Sequence, residues 1–162
     1  MKYAVFLLLF VVVASCSPES SNFPDPVDPI DPVDYTAINE QQITDYLTAN
    51  DLVSQKLESG LHYIIENQGD GAQPTAASSV TVVYRGYFLD GTVFDQSTEA
   101  GITTGLDRVI EGWKQGIPLF NEGGNGVLLI PAHLAYGSFD INGIPAGSVL
   151  VFDINLLSVN VN

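Results

Sequence analysis

Cysteine occurs once in these 162 residues, at Cys16, so no intramolecular disulfide can form and stability has to come from packing. Basic residues are scarce as well: five Lys and Arg face nineteen Asp and Glu, a formal net charge of −14. A surface of that sign repels phosphate, which argues against a nucleic-acid partner. Histidine appears only at His62 and His133, without metal-ligand spacing, and both read as surface or edge residues. Neither a Gly-x-Ser-x-Gly elbow nor a phosphate-binding glycine loop is present. Hydrolase and metalloenzyme chemistry has little to stand on, and no metal or other cofactor is expected.

What is present begins with an address. Lys2 precedes an apolar run from Val5 to Val13, too short for the roughly 20 residues of a spanning helix. Val13-Ala14-Ser15-Cys16 then places small residues directly before the lone cysteine, as in a bacterial lipobox. Residues 1–15 are therefore expected to be a lipoprotein signal peptide, with Cys16 lipidated and the protein exported and anchored to a bacterial membrane, at the outer membrane or the periplasmic face. Several acyl chains, at ~0.8 kcal/mol per buried CH₂, hold far more firmly than one.

Residues 16–35 read as a Pro/Asp-rich tether. The run Phe23-Pro24-Asp25-Pro26-Val27-Asp28-Pro29-Ile30-Asp31-Pro32 forbids helix, and its acids oppose collapse. At ~3.1 Å per residue, such a rod could hold a domain roughly 55 Å from its anchor. Residues 36–59 are expected to be an extension: a helix over about 37–49 capped by Thr36, with Ile38, Ile43, Tyr46 and Leu47 near one face and Glu40 favouring the N-terminal dipole. A strand over 52–58 follows. The helix should dock on the domain or on a second copy.

The domain itself spans 60–162. A strand over 61–66 precedes Val80–Leu89, Asp90-Gly91 and Thr92–Asp95, two β-rich runs joined by a strong hairpin signal. Val80, Val82, Tyr84 and Phe88 fall on one face at period two, as do Leu150, Phe152, Ile154 and Leu156 in the final run. Val109 to Gly116 should form a short helix carrying the only tryptophan, Trp113, closed by Gly116 and Pro118. Val127–Ile130 reads as an apolar strand stopped by Pro131, and residues 138–147 as an irregular excursion.

Six short strings carry a resemblance: Tyr84-Arg85-Gly86, Asp90-Gly91, Val93-Phe94-Asp95, Val109-Ile110-Glu111-Gly112-Trp113, Ala135-Tyr136-Gly137 and Leu150-Val151-Phe152-Asp153. In this order and at about this spacing, over residues 60–158, the chain resembles the FKBP-type peptidyl-prolyl cis-trans isomerases, the macrolide-binding immunophilins. The resemblance implies an α+β fold, a curved antiparallel sheet wrapped around one short helix, with the N-terminal helix added to it.

The resemblance also implies a site. Trp113 would be a pocket floor beneath a proline ring, with Tyr84, Phe94, Val109, Ile110 and Phe152 as walls. The Ile110 N–H and the Tyr136 hydroxyl would each hold a substrate carbonyl. Asp95 would face the pocket, hydrogen-bonded to Tyr84 and able to polarise the amide carbon, and Ile144 would line the outer wall. Ala100 and Ile102 stand where the family usually places two phenylalanines, so the wall is thinner there. The 138–143 loop is about one residue short and lacks a frequent histidine, for which Phe139 or Ile141 could substitute. These departures bear on substrate preference, macrolide affinity and turnover.

The implied function is isomerisation of Xaa-Pro bonds in unfolded or exported polypeptides, with macrolides as inhibitors. Two other readings stand beside it. One is a non-catalytic chaperone or binding module that uses the same pocket for proline-containing segments; the other is a surface adhesion or glycan-binding β domain, which would need exposed aromatics.

Overall fold

Alternation along the strands decides which face of the sheet each residue serves. In the computed structural model, which describes residues 33–160, seven strands form one antiparallel sheet: β1 Gln55–Lys56, β2 His62–Asn67, β3 Ser79–Phe88, β4 Val93–Gln96, β5 Ile102–Gly105, β6 Asn125–Ile130 and β7 Leu150–Asn160. Their order is β1-β2-β6-β7-β3-β4, and β5 also pairs with β3. Two helices, α1 (Thr36–Ala49) and α2 (Glu111–Gly116), complete it with three single 3-10 turns. The expected signal peptide, Cys16 and all but the end of the tether lie outside the described residues.

The long strand β3 organises the sheet. It pairs with β7 along its whole length, while its other edge is shared, Ser79–Val82 with β5 and Arg85–Tyr87 with β4. The Asp90-Gly91 turn between β3 and β4 forms as read, with Gly91 at φ 86 and Thr92 N–H donating to Asp90 Oδ1 at 2.8 Å. Strand β5 was not foreseen, because its four residues, half of them threonine, lie on an edge with little apolar signal.

One face of the sheet buries Val80, Val82, Leu128, Ile130, Leu150, Phe152, Ile154 and Leu156 against Trp113 and Ile117. The other buries Leu129 and Val151 against Ile43 and Leu47 of α1. Successive residues of β6 and β7 thus feed opposite cores, as a strand with both faces covered requires.

Several boundaries differ from expectation. α1 begins at Thr36, which is not its cap: Asp34 Oδ1 accepts the Thr36 N–H at 2.9 Å, so the capping carboxylate comes from two residues earlier. Glu40 does not serve the dipole but reaches Lys56 Nζ at 2.7 Å and His62 Nε2 at 3.3 Å, joining the helix to β1 and β2. Ile38 is half exposed, and Asn39 is fully buried instead. The expected strand over 52–58 shrinks to Gln55–Lys56, because only these two residues find partners, Tyr63 and His62, across the turn at Gly60. α2 starts at Glu111, with Val109 and Ile110 extended before it. Pro118 does not close it either, since it sits in the first turn of a following 3-10 segment, where a missing N–H costs nothing.

The end of the tether is engaged. Ser138 Oγ donates to the Val33 carbonyl, and the Tyr35 ring occupies the space that a side chain at Gly147 would fill. Asn39 extends the same junction: its Nδ2 donates to Gly147 O at 2.8 Å, and its Oδ1 accepts the Ala132 N–H at 2.8 Å. Asn39→Ala should cost about 2–3 kcal/mol, since it strands a buried N–H and a buried carbonyl together. Thermal unfolding should show the midpoint lowered by roughly 10 °C, with Asn39→Asp at least as damaging, because it buries a carboxylate against the Gly147 carbonyl.

Candidate functional site

Three glycines make room for the aromatic cluster. A Cβ on Gly112 or Gly116 would overlap Ile130 or Leu128, so these residues let α2 lie directly on β6 and set the depth of Trp113. Gly86 lies opposite both Asp95 and Phe152 in register, and a Cβ there would come within 2.7 Å of Phe94 and 2.8 Å of Phe152. Its missing side chain allows those two rings to meet edge to face, 5.6 Å apart at 88°.

Trp113, 5 % exposed, meets Tyr84 at 5.1 Å and Phe152 at 5.3 Å, both nearly perpendicular. Above it opens a cavity of about 330 Å³ lined by Tyr84, Phe94, Asp95, Ile102, Arg108, Val109, Ile110, Trp113, Tyr136 and Phe152. Strands β3, β4, β5 and β7 each contribute to it, as do α2, the segment Arg108–Ile110 ahead of α2 and the loop between β6 and β7 that carries Tyr136. Nine of the ten residues expected at the site from sequence line this one hollow. The indole is therefore not sealed off.

Ile144 is the exception. It is 7 % exposed, packed in the main core and held by reciprocal backbone hydrogen bonds with Ile141 at 2.9 and 3.0 Å, so it does not line the cavity. Phe139 and Ile141 do not substitute for a wall residue, since neither lines the cavity and Phe139 is 64 % exposed. Ala100 contributes nothing to the cavity, and Ile102 fills only part of the thinner side. Arg108 was missed; the only signal for it in the sequence was its place two residues before Ile110.

The polar groups are few and placed. Tyr84 Oη donates to Asp95 Oδ2 at 2.6 Å, a short charge-assisted bond that fixes both side chains at the rim. Burial first, and the neighbouring carboxylate second, hold the Tyr84 phenol above its ordinary range, so it stays a donor at any physiological pH. The Ile110 N–H, just ahead of α2, and the Tyr136 hydroxyl find no acceptor or donor among the described residues. Trp113 Nε1 is buried without a partner, a cost of about 1–3 kcal/mol that the surrounding core sustains.

A larger hollow, about 590 Å³, is bordered mainly by polar groups, among them Arg85, Gln96, Asp153 and Asn155, with Tyr84 as its one aromatic ring. His62 is buried, against expectation, because its ring nitrogens are taken by Ser54 and Glu40 at the α1 junction. His133 is exposed and bonds Ser59 O. Among the described residues no cluster of His, Cys, Asp and Glu could hold a metal ion.

Comparison with known proteins agrees with this geometry. The sequence model of FKBP-type peptidyl-prolyl cis-trans isomerase matches residues 71–157, more than half of the chain. The FKBP-type isomerase FkpA of Aeromonas hydrophila is 41 % identical over 125 residues, 75 % of this chain and 47 % of that protein. The outer membrane protein MIP of Legionella longbeachae is 42 % identical over 106 residues, 64 % of this chain and 46 % of that one. The chain thus spans less than half the length of these curated relatives. The crystal structure of FkpA from Escherichia coli superposes with a TM-score of 0.69 at 36 % identity, over 76 % of this chain and 60 % of that one. Aromatic floor, tyrosine–carboxylate pair, sheet order and sequence match converge: the chain belongs to the FKBP-type peptidyl-prolyl cis-trans isomerase family.

Proposed function

We propose that the chain is a peptidyl-prolyl cis-trans isomerase whose cavity takes the proline ring of a polypeptide over Trp113. The observation that carries this reading is the open, aromatic-floored hollow rimmed by the Tyr84–Asp95 bond. The barrier to rotation, ~18–20 kcal/mol, is the loss of amide resonance on twisting. A planar amide is more polar than a twisted one, so moving it from water to an apolar pocket favours the twisted form. Phe94, Ile102, Val109 and Phe152 exclude water around the ring. The Ile110 N–H and the Tyr136 hydroxyl each take a carbonyl on either side of the bond, holding the chain bent. Asp95, fixed by Tyr84, sets a negative charge beside the amide carbon as its carbonyl rotates out of conjugation. No proton transfer and no nucleophile are required.

Substrates on this reading are unfolded, exported polypeptides, with macrolides as competing ligands. Residues 1–15 would direct export, Cys16 would carry the lipid, 16–35 would act as tether, 36–59 as extension and 60–162 as the isomerase domain. The lipobox-like sequence supports this, as does a relative named for the outer membrane. No helix among the described residues is long and apolar enough to cross a membrane. Ala100 and the partly exposed Ile102 favour a second reading, a binding module without turnover.

NMR exchange on an Xaa-Pro peptide separates the two: the isomerase broadens the cis and trans lines, whereas a module binds without broadening them. Trp113→Leu should weaken peptide binding about tenfold through lost ring contact. Asp95→Ala should slow turnover about tenfold while costing less than about 1 kcal/mol in stability, as expected of an exposed group. Equal unfolding of both variants would mark them as core positions alone.

Alkaline stability follows from the tyrosines. Burial holds the phenols of Tyr84 and Tyr87 above their ordinary range, reinforced by Asp95 and Asp153 respectively. In the unfolded chain both ionise near about pH 10. Their contribution is fully present below that pH and is lost as pH rises through the folded values. Phenolate absorbance of the folded protein should show a part that titrates above the free-tyrosine range, and Tyr84→Phe should lessen the loss of stability above about pH 10.

A further inference from the structure

Arg108 stands between two hollows. This residue ends the 3-10 turn Leu106–Arg108 and lines both the cavity over Trp113 and a second hollow of about 710 Å³. Ala76, Ser79, Thr103, Thr104 and Asp107 border the second hollow, so its walls are small or hydroxyl-bearing apart from the Asp107 carboxylate, which lies on the Nε side of Arg108. Strand β5 runs along it and pairs only with β3, which leaves its other edge open among the described residues. A peptide extended along β5 would find backbone groups to pair with.

Arg108 is the single cation lining either hollow. The other described bases are engaged elsewhere: Lys56 with Glu40 at 2.7 Å, Lys114 with Glu111 at 3.6 Å and Arg85 with Asp153 at 3.7 Å. Arg108 meets only its neighbour Asp107, through Nε at 3.8 Å, with both side chains largely exposed. Its terminal guanidinium nitrogens have no acceptor among the described residues, and they suit the two-pronged geometry of a carboxylate.

We propose that Arg108 and the hollow beside it form a second substrate subsite that selects an acidic residue flanking the proline. This rests on the proline-binding reading above. Extended chain advances about 3.3 Å per residue, so the carboxylate belongs about one to three residues from the ring. The chain's negative charge opposes acidic peptides at long range, but that field is screened beyond about 8 Å at physiological salt. An acidic side chain gains only on reaching Arg108, so the subsite reads its position rather than the net charge of the peptide.

The test compares proline peptides that differ only by Glu or Gln at each of the three positions on either side of the proline, using kcat/KM from NMR exchange. One position should favour Glu by about three- to fivefold, the size expected of an exposed ion pair. The ratio should fall to about one in Arg108→Gln, favour Gln in Arg108→Glu, and shrink as salt is raised. Amide shifts of Thr103 and Thr104 should move more with the Glu peptide. Equal rates for Glu and Gln at every position would overturn the subsite and leave the isomerase standing, as would a preference that survives Arg108→Gln. Absence of both exchange and binding for every peptide would overturn both.

Discussion

A helix laid on a strand with no side chain between them is the constraint on which the rest depends. Gly112 and Gly116 lie one turn apart on α2 and face Ile130 and Leu128 of β6 at distances that leave no room for a Cβ. Any added methyl there would force apart two elements packed at native density, where overpacking costs about 1–3 kcal/mol. Because Trp113 sits between these glycines in sequence, the helix-to-sheet distance also sets how deep the indole lies. Core packing and pocket depth are one quantity in this protein.

The same economy of volume recurs at Gly86, where an absent side chain lets Phe94 and Phe152 close one wall. Around the indole the rings meet edge to face, which fits positive ring edges to negative faces and keeps water out of the spaces between them. A hollow of this kind discriminates by polarity as well as shape. Its lining suits an apolar ring, and the Tyr84–Asp95 pair stands at the rim.

The N-terminal extension belongs to this arrangement rather than merely preceding it. Asn39 ties α1 to the turn at Ala132 and to the loop at Gly147, and Tyr136 of the cavity wall lies on the chain between those two points. Glu40, Lys56 and His62 fasten the same helix to β1 and β2. With no disulfide available, such polar junctions and the second core under α1 hold the extension in register with the site.

By itself the sequence determined the strand faces, the hairpin and the residues that gather around Trp113, because each depends on local rules: period-two alternation, the backbone freedom of Asp-Gly, and motif strings short enough to be read in order. It also located the Tyr84–Asp95 pair, though through resemblance and not through spacing. Tertiary structure decided what long-range contacts decide. Ile144 went to the core and Arg108 to the rim, because loop paths depend on packing and not on composition. Asn39 was drawn inside at the expense of Ile38, since two unpaired backbone groups 93 and 108 residues away needed its amide. β5 formed because β3 offered it an edge, and Glu40 left the helix dipole for Lys56 because an ammonium at 2.7 Å outweighs partial charges at a helix end.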